Sequence, residues 1–398
     1  MMVGPSGREL EAIAVNRPAC PKGRKECGAI DRTIQRDLNL SGYFKVLDRA
    51  SFLAQPMGET LVSTQWLDWA NIGARYLIKT EAVLAAKGMN IEFRLFDVTR
   101  KQAVPVQGQS HQGIRDSIAA RRAANKFING VIKAVTGKPG IFGSRIVLSV
   151  KTAPWKRAII SIGMDGSGRR TLISNGSSNM FPRWTPKGRV LYTSFLPGHP
   201  SLYIGKKRLT MDDREYRGAA ISPDGGSIVA SVNIDGQSDL VLIDPKTGRT
   251  TKNLTNSAWD EVQPSWSPGG NMIAFMSSRA GSPQIHVMRA DGSGERRLTM
   301  AGAYNTSPRF GPNGRIVFTG MDDFVNDIFV VDLQGNIARL TQNQGGNKDP
   351  SWSPDGRHVV FLSNRAGTWR VWIMTEDGRY QFPITRKAEE YATPDWGW

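Results

Sequence analysis

Residues 349–356 read Asp-Pro-Ser-Trp-Ser-Pro-Asp-Gly, and this phrase decides the fold because it recurs along the carboxyl-terminal two-thirds of the chain. Five related phrases begin at Phe181, Gly218, Gln263, Ser307 and, in shortened form, Thr393. Each phrase carries a large apolar residue at its fourth position, and these residues follow one another in steps of 37 to 45 positions: Trp184, Ile221, Trp266, Phe310, Trp352 and Trp396. A period of this length with strand-like content is typical of a β-propeller.

The residues after each phrase predict one four-stranded blade. The Pro-Asp-Gly corner is a tight turn, since proline presets φ and glycine accepts the positive φ that such turns need. An apolar strand follows, as at 228–232 and 359–362, then a third strand such as 240–243, and a short fourth such as 253–255.

The two ends of the repeat region complement each other. Three strands at 146–150, 157–162 and 170–173 precede the first phrase and lack an inner partner, whereas 391–396 forms one strand with nothing after it. Pairing that last strand with the first three gives six blades and removes an open sheet edge. We therefore predict a ring that its own C-terminal strand closes.

Residues 1–138 lack the repeat and predict a small α/β domain. Apolar residues from Ile30 to Leu38 follow helical spacing and stop at Ser41-Gly42. Strands are predicted at 76–85 and 89–98, and an amphipathic helix from Ile114 to Val135. The predicted architecture is an α/β N-terminal domain, 1–138, followed by an all-β six-bladed propeller, 139–398.

The repeated aromatic residues and the Asp-Gly pairs each have two interpretations. The aromatic residues suit a ligand cage, but a fixed place in every blade favours packing between neighbouring blades. The Asp-Gly pairs are better explained as turn residues than as calcium ligands, because no spacing resembles an EF-hand loop. The sequence predicts neither a metal site nor a cofactor.

The only two cysteines, Cys20 and Cys27, allow a disulfide across a small loop in an oxidising compartment. Two thiolates without a nearby histidine supply only half of a tetrahedral zinc site. Whether the pair is bonded depends on export, which the sequence leaves open.

The net charge of +17 raises the question of a nucleic-acid partner. The excess is spread over both parts of the chain, with +9 in residues 1–138 and +8 in the rest. Such a spread lacks the dense stripe that phosphate binding favours, so we predict no nucleic-acid partner. Solubility, or attraction to an anionic envelope surface, is the simpler explanation.

The whole pattern resembles the TolB family. The resemblance is carried by 349–356 with the strands after it and, more specifically, by Asp-Leu-Asn-Leu-Ser-Gly-Tyr-Phe at 37–44, Ile-Glu-Phe-Arg-Leu-Phe-Asp at 91–97 and Val-Thr-Gly-Lys-Pro-Gly-Ile-Phe at 135–142. It covers nearly the whole chain in the family's domain order.

This resemblance implies a periplasmic scaffold of the Tol–Pal system, peripheral to the membrane only through its partners. Members bind the lipoprotein Pal at the propeller mouth and TolA through the N-terminal region, and support outer-membrane integrity and cell division. Other envelope proteins are further candidate partners. Residues 1–16 carry no signal peptide and the family-like part begins near Gly7, so we expect the TolA-binding arm to be absent or the true start to lie upstream.

The candidate site is the rim of loops ahead of the phrases. The resemblance places the Pal contacts at 215–218 and 262–263, and Tyr216, Arg217 and Trp259 are the predicted anchors because such residue types dominate interfaces. The complete predicted set is Glu215, Tyr216, Arg217, Gly218, Trp259, Asp260, Glu261, Val262, Gln263, Tyr304, Asn305, Thr306, Lys348, Asp349, Glu390 and Tyr391.

The alternative hypothesis is a propeller-borne enzyme or glycan-binding protein, such as a peptidase, lyase or lectin. A peptidase would need a hydrolase domain with a Gly-x-Ser-x-Gly nucleophile elbow, and the sequence has none. The four histidines are scattered and lack motif partners. We therefore expect no catalytic residues, and assays for hydrolysis and glycan binding discriminate between the hypotheses.

Overall fold

The computed structural model describes residues 10–52, 59–322, 324–386 and 389–397. The chain divides into two compact units, Met1–Gly143 and Ser144–Trp398. The domain boundary that we expected after residue 138 stays a prediction. No helix in these described ranges is long and apolar enough to span a membrane.

The first unit is built on one mixed sheet. Its strand order is β2-β1-β3-β4-β5, and β6 also pairs with β4. β1 runs parallel to both of its neighbours, whereas β3 and β4 form a long antiparallel hairpin. The strands are β1 (Glu11–Val15), β2 (Phe44–Val46), β3 (Tyr76–Ala85), β4 (Gly88–Asp97), β5 (Gln102–Val104) and β6 (Ser110–Ile114).

The described residues of this unit also form three α-helices and one 3₁₀ turn: α1 (Lys25–Ser41), α2 (Trp66–Asn71), α3 (Ser117–Thr136) and the 3₁₀ turn Arg49–Ser51. α1 ends at Gly42, which has the left-handed φ of 70° expected of a helix C-terminus. The predicted start of α3 was wrong, because Ile114 belongs to β6. The helix begins after Asp116, whose Oδ1 accepts hydrogen bonds from the N–H groups of Ile118 and Ala119.

The second unit is a six-bladed β-propeller, as predicted. Each blade is a four-stranded antiparallel sheet. In blades 1 to 3 the strands, from innermost to outermost, are β10 (Asn179–Trp184), β11 (Val190–Ser194), β12 (Ser201–Ile204) and β13 (Lys207–Arg208); β14 (Glu215–Ile221), β15 (Ile228–Ile234), β16 (Gln237–Ile243) and β17 (Thr250–Asn253); β18 (Glu261–Trp266), β19 (Met272–Ser277), β20 (Gln284–Arg289) and β21 (Arg296–Arg297).

Blades 4 to 6 repeat the arrangement. Their strands are β22 (Tyr304–Phe310), β23 (Ile316–Asp322), β24 (Val325–Val331) and β25 (Ile337–Arg339); β26 (Asn347–Trp352), β27 (His358–Ser363), β28 (Arg370–Thr375) and β29 (Gln381–Pro383); β30 (Tyr391–Gly397), β7 (Arg145–Ala153), β8 (Lys156–Gly163) and β9 (Arg170–Ile173).

The C-terminal strand closes the ring, as predicted. β30 pairs antiparallel with β7, with Tyr391 opposite Val150 and Trp396 opposite Ile146. Blade 6 therefore takes its innermost strand from the end of the chain and its other three from the start of the unit.

The fourth-position residues of the phrases pack between blades. Trp266, Trp352 and Trp396 are buried, and Trp184 and Phe310 are half-buried. The indole N–H of Trp266 donates to the carbonyl of Ala220 in the preceding blade at 3.1 Å. Their edges also line a cavity, described below, so the packing interpretation does not account for their whole environment.

Candidate binding face of the propeller

Two sets of loops share one face of the propeller, which we call the mouth face. Antiparallel strands return to the same side at every second connection. The loops that enter each innermost strand therefore lie on the same face as the loops between second and third strands. The turns after the innermost and the third strands lie on the opposite side, the back face.

The exposed large apolar side chains of the propeller gather on the mouth face. Trp155 and Phe324, in loops between second and third strands, are 93% and 96% exposed. Among the described residues of this unit, only Ile337, on an outermost strand, is an exposed large apolar side chain away from that face. The mouth-face set is Trp155, Phe195, Leu196, Met211, Trp259, Met300, Tyr304, Phe324 and Val325. We therefore take the mouth face as the candidate binding face.

About a third of the predicted rim residues are exposed on this face. Trp259 and Tyr304 are 49% and 42% exposed, and Arg217 forms an ion pair with Glu215 at 2.8 Å. The exposed members are Arg217, Trp259, Asp260, Tyr304 and Glu390; the half-buried ones are Glu215, Val262, Gln263, Thr306, Lys348 and Asp349. Of these half-buried residues, Lys348 lies with its Nζ 4.3 Å from the centre of the Trp369 ring.

Five predicted rim residues are buried, and their role as partner contacts stays a prediction: Tyr216, Gly218, Glu261, Asn305 and Tyr391. Four of them occupy the same place in their blades, two positions before the first residue of the phrase. Because side chains alternate between the two faces of a blade, these four residues lie on the same face of their strands.

Two of these buried residues hold the entry loops in place. The Glu261 carboxylate accepts hydrogen bonds from Ser257 Oγ at 2.7 Å, Ser277 Oγ at 3.1 Å and Arg279 Nη2 at 2.8 Å. Asn305 Nδ2 donates to the carbonyl of Ala301 and to Gln284 Oε1, each at 2.8 Å. Both side chains therefore hold these loops in position.

Tyr216 is the predicted anchor that the structure places in the core. Its side chain is fully buried and its hydroxyl donates to Asp212 Oδ2 at 2.9 Å. Burial first, and the Asp212 carboxylate next, raise the pKa of Tyr216 to about 12. Of the three predicted anchors, Arg217 and Trp259 are therefore the two that are exposed.

The first residues of five of the six phrases meet around the central channel, just inside the mouth face. A cavity of about 180 Å³ lies there, and four predicted contact residues line it: Arg217, Gly218, Val262 and Gln263. Phe181, Ser307 and Thr393 contribute to its wall, and Arg183 and Arg309 lie at its inner end.

A ring of backbone irregularities surrounds this cavity. In every blade the pairing of the innermost strand shifts register within the phrase, for example between Val262 and Ser265. The first residue of each phrase has a positive φ, from 45° to 86°: Phe181, Gly218, Gln263, Ser307, Asp349 and Thr393. Five of the six are not glycine, and such a conformation persists only where the surrounding structure enforces it.

Side chains of this ring join neighbouring blades. Gln263 Oε1 accepts from the backbone N–H of Ser307 at 2.7 Å, and Asp349 Oδ1 accepts from Ser307 Oγ at 3.2 Å. Gln263 and Asp349, both predicted as rim contacts, therefore belong to the channel lining, where they fix the blades against each other.

The sequence interpretation missed two groups of residues. One is the apolar loops between second and third strands, represented by Trp155 and Phe324. The signal that could have found these loops is the antiparallel strand order, which places them on the same face as the entry loops. The other is the channel arginines Arg183 and Arg309, which stand at the third position of their phrases. In the described part of the chain, no group of three or more His, Cys, Asp or Glu side chains is placed to hold a metal ion.

Fold and site together define a two-unit protein, with a small α/β domain ahead of a six-bladed propeller. The TolB amino-terminal domain pattern matches residues 4–104, and the TolB beta propeller domain pattern matches residues 132–398. This chain belongs to the TolB family.

Individual relatives agree with that assignment. The Tol-Pal system protein TolB of Anaeromyxobacter dehalogenans is 36% identical over 414 aligned positions, which cover 92% of this chain and 85% of the relative. That of Desulfosudis oleivorans is 34% identical over 265 residues, 66% of this chain and half the length of the relative. The crystal structure of TolB from Acinetobacter baumannii has a similar fold, with a TM-score of 0.83 at 23% identity over 99% of this chain and 97% of that one.

Proposed function

We propose that this chain is a periplasmic scaffold of a Tol–Pal system and binds the lipoprotein Pal at the mouth face of its propeller. The observation that carries the proposal is the concentration of exposed apolar side chains on that face, around a channel mouth lined by Arg217, Val262 and Gln263. The relatives supply the system, since both are Tol-Pal system proteins.

The mouth face has the composition of a protein-binding surface. Aromatic residues, methionine and arginine are enriched at interfaces, and Trp, Tyr and Arg are the commonest hot spots. Trp259, Tyr304 and Met300 are exposed in the entry loops, and Arg217 stands next to the 180 Å³ cavity, which is large enough to receive one side chain of a partner. We propose Trp259 and Arg217 as the anchors of that contact.

The test is Pal binding by Trp259→Ala with Arg217→Ala, measured by calorimetry beside the melting temperature. We expect the double variant to lose about 2–4 kcal/mol of binding free energy, because both side chains are exposed and are replaced without disturbing the core. The matched control replaces Ile337 and Arg189 by alanine, since both are exposed away from the mouth face. Equal affinity of the double variant and the control removes the mouth-face assignment.

We also propose that the N-terminal region binds TolA, and through it supports outer-membrane integrity and division. This part of the proposal rests on family membership. The first unit exposes Val83 and Leu84 at the end of the β3–β4 hairpin and Leu67 on α2. Val83→Asp with Leu84→Asp tests whether the hairpin end takes part. We expect weaker capture of purified TolA at unchanged Pal binding, and full capture excludes the hairpin end.

A further inference from the structure

A second cavity, of about 390 Å³, opens on the back face of the propeller, at the end of the channel away from the mouth. All six fourth-position residues of the phrases line it: Trp184, Ile221, Trp266, Phe310, Trp352 and Trp396. Prolines of the turns after the innermost strands, such as Pro223 and Pro268, form its outer part. Its volume and largely apolar wall fall within the range of small-molecule sites.

Charged side chains form the inner end of this cavity. Arg183 and Asp395 both line it, and Arg183 Nη1 donates to Asp395 Oδ1 at 3.0 Å. Asp395 Oδ2 also accepts from the backbone N–H of Trp184 at 2.8 Å. These contacts compensate the charge of Arg183 and leave Asp395 fully engaged.

Arg309 lines the same cavity, and the Asp395 and Asp349 carboxylates act on it by charge alone, without direct contact. Within the described ranges, no carboxylate lies within 4.0 Å of its guanidinium. Its Nη1 donates to the carbonyl of Pro308 at 2.9 Å, while its Nε is buried without a hydrogen-bond partner. Asp349, the other nearby carboxylate, is turned to Ser307 Oγ and does not line the cavity. Arg309 as a whole is half-buried, but its buried Nε is an unsatisfied donor, and such donors in proteins normally have a partner.

We propose that the back cavity binds a small organic carboxylate, whose apolar body packs against the indole rings and whose carboxylate pairs with Arg309. A guanidinium presents paired N–H donors that match the two oxygens of a carboxylate, and aromatic rings favour an apolar or aromatic body beside it. The apolar majority of the wall favours such a molecule over a small inorganic anion, which keeps its hydration. The site lies on the face opposite the proposed Pal contact and does not depend on that proposal.

The electrostatic environment of Arg309 agrees with a missing anion. Burial, and then the charge of Arg183, lower the pKa of Arg309 well below its usual value. The Asp395 and Asp349 carboxylates oppose this shift only in part, and a bound carboxylate adds an anion in direct contact with the guanidinium.

The test uses the full chain and four carboxylates: benzoate, phenylacetate, indole-3-acetate and octanoate. The neutral counterparts are benzyl alcohol, phenylethanol, indole-3-ethanol and octanol. Binding is measured by calorimetry and by the fluorescence of the four tryptophans that line the cavity. We expect at least one carboxylate to bind with one-to-one stoichiometry and its neutral counterpart to bind about ten-fold more weakly or not at all.

Two variants locate the site. Arg309→Gln is expected to weaken carboxylate binding about ten-fold or more, whereas Arg189→Gln, an exposed arginine of a back-face turn, leaves it unchanged. Ile221→Trp narrows the cavity without touching either arginine, and it keeps the test valid if Arg309→Gln fails to fold. The proposal is overturned if none of the four carboxylates binds, if the neutral counterparts bind equally well, or if binding survives in the folded variants.

Discussion

Trp396 donates its indole N–H to the hydroxyl oxygen of Ser144 at 2.9 Å, across 252 positions of the chain. Ser144 is the first residue of the propeller unit and Trp396 lies in its last strand, so this bond joins the two ends of the ring. Both side chains are buried. The bond supplements the pairing of β30 with β7 and fixes the closing strand at its far end.

Trp396→Ala is therefore expected to destabilise the propeller by about 3–5 kcal/mol, the usual loss for a large aromatic side chain removed from a core. Trp396→Phe keeps most of the packing but loses the bond to Ser144. The lost bond should lower the free energy of unfolding by about 1 kcal/mol beyond the effect of the smaller ring. Urea unfolding followed by far-ultraviolet circular dichroism measures both.

Trp155→Ala is the control for this pair, because Trp155 is 93% exposed and its removal should change the free energy of unfolding by less than about 0.5 kcal/mol. If Trp396→Ala unfolds at the same urea concentration as Trp155→Ala, the closing strand does not contribute to stability as argued.

The repeat made the propeller and its closure predictable, because each phrase marks the innermost strand of one blade by turn residues that have a fixed physical role. Which side chains at the start of each innermost strand are exposed was not predictable. Tyr216 and Arg217 are neighbours of similar interface propensity, yet the first is buried and the second exposed. Adjacent side chains point to opposite faces of the blade, and the sequence alone does not show which face is covered there.

The channel charges illustrate a second limit. The third positions of the phrases read Arg183, Ala220, Ser265, Arg309, Ser351 and Asp395, and nothing in one phrase reveals the others as neighbours. Only closure of the ring brings Asp395 to Arg183, 212 positions away. The predicted start of α3 was wrong for a local reason. Ile114 continues the apolar spacing of the helix, but Asp116 is the cap after which the helix begins.

Cys20 and Cys27 form a disulfide in the first unit, seven positions apart. The bond connects the segment after β1, which is held to β3 by the N–H of Ala19 on the carbonyl of Thr80, with the first turn of α1. Closing a loop of this length restricts the unfolded chain by about 2–3 kcal/mol. We expect reductant to lower the melting temperature of the first unit, measured by calorimetry.

The variant Cys20→Ser with Cys27→Ser is the control for the disulfide. It should melt at the lower temperature of the reduced protein with or without reductant. Thiol titration shows when the native chain is fully reduced. If its melting temperature is then the same as without reductant, the predicted stabilisation is contradicted.

Lys79 and Glu59 form a buried ion pair in the first unit, with Nζ 3.0 Å from Oε2 and side chains that are 4% and 2% exposed. Lys79 Nζ also donates to the carbonyl of Ser63 at 2.6 Å. Glu59 Oε1 accepts from the indole N–H of Trp69 at 3.0 Å. Lys79→Met should cost about 3–5 kcal/mol, because it leaves the Glu59 carboxylate buried without its cation.

A double-mutant cycle in urea separates the ion pair from the other contacts of Lys79. Glu59→Gln can still accept the bond from Trp69, so Lys79→Met in that background should cost clearly less than in the native chain. Equal costs in the two backgrounds contradict a coupled pair.

Three tyrosines predict how the propeller responds to alkaline pH. Burial raises the pKa of Tyr192, Tyr216 and Tyr391 to about 12. In the unfolded chain a tyrosine ionises near pH 10, so between about pH 10 and pH 12 the unfolded state binds fewer protons than the folded state. The free energy of unfolding should therefore fall as pH rises through this interval, and it should be insensitive to these groups below it.

Tyr216→Phe tests this pH dependence directly. It removes the hydroxyl that bonds to Asp212, so it should lower stability by about 1 kcal/mol or more near neutral pH and make the decline between pH 10 and pH 12 shallower. Tyr304→Phe, on the exposed mouth face, is the matched control and should keep the native slope. Urea unfolding at a series of pH values measures both slopes, and an unchanged slope in Tyr216→Phe means that its phenol does not stay protonated in the folded propeller.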